Sequence, residues 1–234
     1  VGGHSVSEVR QLLTSLQFAD SAFPSGFYTM SHSLEAYSQA RLVSRGDVQP
    51  LLADLLLHSV GPGDATALAA AHRAAADGDV ELVQEVDQRL FASKLNAEMR
   101  TASVRSGHQL IDLGAELIVQ PLLTEYGGRV RRRATPGCQP VATAVIYAAN
   151  GVQTRQAVAS DLFAFSASFV GAALRLRLTD HRHAQAVLLE TAGVMEHATN
   201  AALERGLADL GGCVPMADIM SARHEKAEAR LFAS

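Results

Sequence analysis

The amino-acid sequence predicts an all-α protein, a helical bundle that forms one domain over residues 1–234. Apolar residues recur at helical spacing almost throughout, Ala is the commonest residue, and capping residues precede several apolar stripes. The 234 residues are enough to bury a sizeable core without disulfides. An apolar fraction of 48% with a charged fraction of 19% is typical of a globular chain and argues against disorder.

Three helices are predicted in the first third of the chain. Ser7 caps the first helix, whose apolar face is formed by Val9, Leu12, Leu13 and Leu16. Asp47 caps a second helix with an apolar stripe over residues 48–56, and the Gly-Pro-Gly run at residues 61–63 ends it. An Ala-rich helix follows over residues 64–77.

The remaining helices follow from the same two signals. Asp79 caps one helix, residues 158–176 carry the cleanest apolar stripe, and residues 181–206 form another helix. Residues 141–149 could pass for a strand, but a lone strand among helices has no partner, so we predict a helix. A long helix is predicted over residues 94–119, with inward positions at Leu95, Met99, Ala102, Leu110, Leu113 and Leu117.

Two segments break the helical pattern. Residues 21–33 contain Pro24 and Gly26 and interrupt the first helical run. Residues 121–136 are polar, Gly-rich and basic, which predicts an exposed loop. The arginine run at residues 129–133 is interpreted as solvated surface, with nucleic acid or an acidic protein partner as the alternatives.

Charge and composition exclude several classes of function. A net charge of −4 removes the electrostatic case for binding nucleic acid or an anionic membrane. No apolar run approaches the roughly 18 residues that a membrane span needs. The start of the chain has no secretory signal pattern, and Cys138 and Cys213 are too few for a disulfide framework. We therefore expect a cytoplasmic protein.

The sequence offers no catalytic residue, cofactor site or metal site. A P-loop needs Lys after Gly, whereas Lys94 follows Ser and Lys226 follows Glu, and neither Gly-x-Ser-x-Gly nor Cys-x-x-Cys occurs. Residues 224–228, His-Glu-Lys-Ala-Glu, would make an incomplete zinc site, so they are interpreted as a charged tail segment. The other histidines are interpreted as solvated or as satisfied core residues: His58, His72, His108, His181, His183 and His197.

Three blocks of sequence nevertheless resemble a known family. Residues 16–36 place Leu-Gln and Asp before Pro-x-Gly, an aromatic residue, Ser and Leu-Glu. Residues 95–107 contain Glu-x-Arg-x-x-Ser-x-x-x-Gly. The end of the chain has His-Glu in residues 218–225 and Arg-Leu-Phe in residues 230–234. Together with residues 165–188, these collinear blocks are similar to the urease accessory protein UreF family.

This resemblance implies an all-helical scaffold that is typically a homodimer and is not an enzyme. Its implied partners are UreD (also called UreH), the GTPase UreG and apo-urease. Nickel is then the cargo of the complex, GTP is bound by UreG, and the scaffold couples UreD to UreG and regulates the GTPase cycle. One alternative is a metallochaperone that binds nickel through its own His and Cys residues. Another is a helical hydrolase or lyase with an unrecognised site.

The resemblance also points to partner-binding residues at the C-terminal end. Residues 223–234 form a tail whose apolar end docks either on the protein's own core or on UreD, and the resemblance favours UreD. The residues concerned are Arg223, His224, Glu225, Arg230, Leu231 and Phe232.

Two further contact regions are expected nearer the N-terminus. In the loop at residues 23–35, Tyr28 presents its ring and Glu35 follows in the next helix; the alternative is a core corner where Glu35 accepts backbone N–H groups. Glu98 and Arg100, with Ser103, are expected to form a polar set on a helix surface, either structural or facing UreG.

Two residues depart from the family pattern in the same loop. Phe27 and Ser33 stand where the family commonly has glycine. A residue with a side chain resists positive φ, so we expect the loop to follow a different path.

Overall fold

The computed structural model describes residues 7–233, and these residues form helices and connecting loops with no strand among them. The all-α prediction is confirmed. Within this range the α-helices are α1 (Glu8–Ala19), α2 (Leu34–Gln39), α3 (Val48–Leu55), α4 (Thr66–Ala76), α5 (Val80–Ser93), α6 (Ala97–Leu117), α7 (Pro121–Arg131), α8 (Gln139–Ala149), α9 (Thr154–Arg175), α10 (His181–Glu190), α11 (Ala192–Glu204) and α12 (Pro215–His224).

Helix α8 lies at the centre of the bundle. All its residues from 139 to 147 are buried, and it packs against α4, α6 and α9. A helix enclosed on all sides is apolar all round, which explains why residues 141–149 lack a helical stripe and could pass for a strand. The helix predicted there is confirmed.

Helix α9 is the second central element. The predicted stripe is buried at Val158, Leu162, Phe165 and Phe169, and the helix packs against α1, α4, α8 and α11. By length and hydropathy it is the one helix among residues 7–233 that could cross a membrane, but 61% of its most apolar window is buried inside the protein. Its apolar composition is accounted for by that burial.

The Gly-Pro-Gly run does not end a helix, contrary to the prediction. A π-helical segment, Leu56–Ala65, passes through it and joins α3 to α4. Pro62 lacks the N–H of a regular α-helical turn, and the wider π turn accommodates it. At Gly61 a Cβ atom would lie 2.5 Å from the carbonyl oxygen of Leu56, so only glycine fits this turn.

The predicted loop at residues 121–136 is also wrong, because residues 121–131 form α7. Pro121 occupies the first turn, and Leu123, Tyr126 and Val130 are buried on one face. Arg129 is not part of a free basic run: its side chain is 14% exposed and pairs with two glutamates. Gly127, Gly128 and the arginines dilute the helical pattern in the sequence.

Several helix boundaries also differ from the prediction. The caps at Ser7 and Asp79 are confirmed, but the side chain of Asp47 makes no capping hydrogen bond. Asn96 caps α6, so this helix starts after residue 94. A break at Thr191 divides the predicted helix over residues 181–206 into α10 and α11.

Some apolar residues are exposed where inward positions were expected. Leu95 and Leu117 of the α6 region are exposed. In α1, Val9, Leu12, Leu13 and Leu16 are all exposed, while the buried positions of that helix are Thr14 and Ser15. Helix α1 thus buries two small polar side chains and exposes four apolar side chains to solvent.

Candidate functional site

The C-terminal end of the described chain folds back over the start of the bundle. After α12, residues 225–233 (hereafter the tail segment) run along α2 and the turn before it. The backbone N–H of Ala233 donates to the carbonyl of Thr29 at 2.7 Å, and Nε2 of Gln39 donates to the carbonyl of Ala229 at 3.2 Å. This path brings residues from all three family-like sequence blocks into one site.

His224 occupies the centre of the site and is fully buried. Its Nδ1 lies 2.6 Å from Oε1 of Glu98, and its Nε2 lies 2.8 Å from Oε2 of Glu35. This geometry matches an imidazolium that donates from both nitrogens to two ionised carboxylates, which only accept hydrogen bonds. Because His224 is a buried residue at the end of α12, interpreting residues 224–228 as a charged tail segment is wrong at His224.

A second cation approaches the two buried carboxylates. Nη1 of Arg230 lies 3.5 Å from Oε1 of Glu98, and the Arg230 side chain is partly exposed. Two carboxylates thus face one imidazolium and one guanidinium, and these cations compensate the negative charge of carboxylates that are buried away from water. Ser221, one turn before His224 in α12, adds a hydroxyl 3.2 Å from Oε2 of Glu98.

Glu35 also holds the tail segment directly. The backbone N–H of Leu231 donates to its Oε1 at 2.8 Å, and that of Phe232 donates to its Oε2 at 3.1 Å. This is the geometry of the core-corner interpretation of Glu35, with the N–H donors supplied by the tail segment.

The two apolar residues at the end of the tail face opposite ways. Phe232 is buried, and the guanidinium carbon of Arg175 lies 4.3 Å from its ring centroid and 4.0 Å from that of Tyr28. Leu231 is 79% exposed and Tyr28 is 59% exposed. Phe232 therefore anchors the tail segment to the protein's own body, while Leu231 and Tyr28 are accessible beside it.

Glu98 and Arg100 do not form the polar helix surface that was predicted. Glu98 is buried against His224. Arg100 turns back toward the start of α6, where its Nη1 donates to the carbonyl of Lys94 at 2.6 Å and its guanidinium lies over the ring of Phe91. Both side chains hold the beginning of α6 in place.

Ser103 and Gly107, the last two defined residues of the Glu-x-Arg-x-x-Ser-x-x-x-Gly block, attach α6 to α8. Oγ of Ser103 accepts the backbone N–H of Gln139 at 3.3 Å. A Cβ atom at Gly107 would overlap the carbonyl oxygen of Gly137, so this position requires glycine for the close approach. The Glu-x-Arg-x-x-Ser-x-x-x-Gly block is therefore a packing motif along its whole length.

The loop before α2 keeps a glycine-like conformation without glycine. Ser33 has φ +72° and His32 has φ +53°, whereas Phe27 has no positive φ. Left-handed backbone costs a residue with a side chain about 1–2 kcal/mol, and here it sets the start of the helix that carries Glu35. Ser33 thus adopts the positive φ that its side chain was expected to resist.

His32 itself is an internal, neutral histidine. The hydroxyl of Ser168 donates to the carbonyl of Phe27 at 2.8 Å, so Nε2 of His32 donates to that hydroxyl oxygen at 3.0 Å. Burial, reinforced by Arg175 and Lys94, lowers the pKa of His32 to about 3.

Arg223 and Glu225 lie on the outside of the site and are exposed. Sequence reasoning missed Ser221 and Arg175. Ser221 has a possible signal, since it is one helical turn from His224, but nothing local connects Arg175 to the tail.

No group of three or more His, Cys, Asp or Glu in residues 7–233 is arranged to hold a metal ion. Cys138 is buried, and burial, aided by the nearby Asp87 carboxylate, raises the pKa of its thiol far above the usual range. The thiolate is the form that binds metals.

The model of the UreF family matches residues 42–192, which is more than half of the chain. The chain belongs to the UreF family. It is 33% identical to urease accessory protein UreF 2 of Brucella canis over 221 residues, covering 94% of this chain and 91% of that protein. It is 29% identical to urease accessory protein UreF of Yersinia pseudotuberculosis over 225 residues, covering 95% and 98% of the two chains.

Membership of the UreF family supports a role in urease maturation, as an accessory protein rather than as a catalytic enzyme. The matched region of the family model ends before α12, so His224 and the tail segment lie outside it. Helix α2 ends before the matched region begins, so the site in this UreF-family chain joins α6, which is inside that region, to elements on both sides of it.

Proposed function

We propose that this chain is a non-catalytic scaffold that brings UreD and UreG together for insertion of nickel into apo-urease. The observation that carries the proposal is the convergence of the family-like blocks on a surface site with exposed apolar residues. The backbone N–H of Leu231 is bonded to Glu35 and the ring of Tyr28 lies against Arg175, so a partner meets a preorganised surface. Both cysteines of the chain are free, which suits a reducing cytoplasm.

The partner contact is tested by a substitution at an exposed side chain of the tail segment. Leu231→Asp places a charge on the exposed apolar position, and Leu189→Asp is its matched control because both leucines are 79% exposed. We expect Leu231→Asp to reduce capture of UreD in a pull-down at least tenfold and Leu189→Asp to leave it unchanged. Equal capture by both variants would remove Leu231 from the interface.

Truncation is a less informative test of the same contact. A chain that ends at Ala222 lacks the tail but also lacks His224, which leaves Glu35 and Glu98 buried without their cation. Loss of the complex would then reflect damage to the fold as well as loss of a docking surface.

Regulation of the GTPase requires that the scaffold prefer one nucleotide state of UreG. A partner shifts an equilibrium only through its different affinities for the two states. We expect pull-downs with UreG bound to GDP and to a non-hydrolysable GTP analogue to differ at least fivefold. Equal affinities would leave a scaffold without a regulatory role.

The apolar face of α1 is proposed to join two copies of the chain. Val9, Leu12, Leu13 and Leu16 are 67%, 51%, 59% and 58% exposed. Their spacing is symmetric about the midpoint between residues 12 and 13, so an antiparallel second copy opposes apolar side chains throughout, as a two-fold interface requires. Light scattering should give a dimer mass for the Leu189→Asp control and a monomer mass for the Leu12→Asp/Leu13→Asp variant.

The metallochaperone alternative is decided by calorimetric titration with Ni²⁺. The scaffold predicts no saturable binding below about 1 mM metal. Tight binding that His or Cys substitutions abolish would instead support nickel capture by this chain. At the level of the pathway, nickel-dependent activation of apo-urease by UreD and UreG should fall when this chain is omitted.

A further inference from the structure

A cavity of about 170 Å³ lies between the end of α1, the loop that follows it and one face of α9. Its walls are largely apolar and include Phe18, Phe27 and Leu110. Helix α9 contributes small residues to the wall at Ala164, Ala167 and Gly171, which leave room beside the helix. The exposed residues Asp20, Ser21 and Tyr28 also line it, so the cavity reaches the surface.

The cavity contains a buried acid with no counter-charge. Asp161 is 6% exposed, and its Oδ1 accepts one hydrogen bond from Nε2 of Gln139 at 2.6 Å. Gln139 is neutral, and among the ion pairs of residues 7–233 none includes Asp161. Burial raises the pKa of Asp161 to about 7 against the opposing effect of Gln139. A carboxyl group in this setting is stabilised by any cation that can reach it.

The cations of the protein do not neutralise this acid. Arg175 lines the same cavity but is fourteen residues along α9, about 21 Å of helix, and is stacked between Tyr28 and Phe232. Lys94 is engaged with Asp64 at 2.6 Å. Within residues 7–233, the titratable or charged groups that line the cavity, act on Asp161 or contact the cavity wall are Asp20, Tyr28, His32, Asp64, Lys94, Tyr147 and Arg175.

We propose that this cavity binds a linear alkylammonium group, with the ammonium against the Asp161 carboxylate and the carbon chain along the apolar wall. The walls favour an amphipathic cation over a hydrated metal ion, which requires several oxygen ligands. Thr143, which also lines the cavity, offers a hydroxyl near the same end. The cavity is several times larger than the roughly 30 Å³ that one water molecule occupies in the liquid, so it has room for a short chain such as n-butylammonium.

The probe for the test is n-butylammonium chloride, titrated into the full chain by calorimetry at about pH 8.5. We expect saturable binding with a Kd near about 1 mM, reduced at least tenfold by Asp161→Asn. Asparagine keeps an oxygen for the hydrogen bond from Gln139, so this variant should retain the fold, which its melting curve without ligand checks. Asp20→Asn is the matched control, because it removes another carboxylate that lines the cavity.

Two further measurements test whether binding depends on the charge of the ligand and on the charge of Asp161. n-Butanol has the same length without the charge and should bind at least tenfold more weakly. Lowering the pH to about 5.5 protonates Asp161 and should weaken butylammonium binding at least fivefold in the wild type but not in Asp161→Asn. Equal affinity of the wild type and Asp161→Asn, dependence on Asp20 alone, or no saturation by about 50 mM would overturn the proposal.

The ammonium group could belong to a free amine or to a lysine of a bound protein. Titration with N-acetyl-lysine methylamide separates these two sources. Binding comparable to that of butylammonium indicates that a lysine side chain with its backbone enters the cavity. Binding of butylammonium without binding of the lysine derivative assigns the cavity to free amines.

Discussion

Replacing His224 by Ala is the most direct test of the buried charge cluster. The substitution leaves Glu35 and Glu98 buried and facing each other without the imidazolium between them. Each hydrogen bond to a charged group contributes about 1.5–3 kcal/mol, and removing one partner of a buried ion pair costs about 3–5 kcal/mol. Arg230 still approaches Glu98, so we expect a loss of about 3–5 kcal/mol in the free energy of unfolding.

The loss should be measured by urea denaturation followed by circular dichroism, since the chain has no Trp. At about 2–4 °C for each kcal/mol in a chain of this size, the melting temperature falls by about 6–20 °C. His181→Ala is the matched control, because His181 is exposed, and its effect should stay within about 0.5 kcal/mol.

A double-mutant cycle with Glu98→Gln isolates the contact between His224 and Glu98. We expect a coupling free energy of about 1.5–3 kcal/mol between the two substitutions. If the single effects add to within about 0.5 kcal/mol, or if His224→Ala costs less than about 1 kcal/mol, the two groups are not the charged pair inferred from the geometry.

Three other predictions use urea denaturation with the same optical signal. The folded-state pKa of Asp161 is raised to about 7, so the folded protein holds this proton longer than the unfolded chain, and stability falls as the pH rises. Relative to Asp161→Asn, the wild type should lose about 3 kcal/mol between about pH 5 and pH 8; parallel curves would contradict this. The pKa of His32 is lowered to about 3, so stability here falls as the pH falls, because the unfolded chain takes up the proton first. The wild type should therefore lose about 2 kcal/mol of unfolding free energy relative to His32→Gln between about pH 7 and pH 5. No relative loss would show that His32 is protonated in the fold. Gly107→Ala should lower the free energy of unfolding by about 3 kcal/mol or more, because the new Cβ overlaps the Gly137 carbonyl. Gly171→Ala, whose Cβ would have no atom within 4 Å, should stabilise α9 by about 1 kcal/mol. Similar effects of the two substitutions would refute the close approach at Gly107.

The sequence was sufficient for helices whose apolar residues form a regular stripe. Residues 158–176 are such a case, and their burial in the structure follows the pattern. Helix α7 was missed because its two glycines and two arginines weaken the apolar stripe formed by Leu123, Tyr126 and Val130. The π-helical segment was missed because a local rule for Gly-Pro-Gly is overridden when the flanking helices α3 and α4 are held by the core.

The site could be located from the sequence but its geometry could not. The family-like blocks contain Glu35, Glu98 and His224, so the residues were available. His224 lies in a polar segment that looks solvent-exposed, and its burial depends on carboxylates 189 and 126 positions away in the chain. Leu231 and Phe232 are adjacent and similar in polarity, so nothing local indicates which of them faces the protein.

The charge cluster and the tail segment are coupled but separable parts of the site. His224 ends α12, so its contacts with Glu35 and Glu98 do not require the tail segment to be docked. The tail segment has one buried side chain, Phe232, whose burial contributes about 1.5–3 kcal/mol, together with a few backbone hydrogen bonds. Opening the tail segment exposes this one side chain, whereas unfolding the bundle exposes the whole core, so the tail can open while the bundle stays folded. A partner that binds Leu231 only when the tail segment is docked therefore shifts the tail toward its docked state, and it stabilises the tail against opening more than it stabilises the bundle against unfolding.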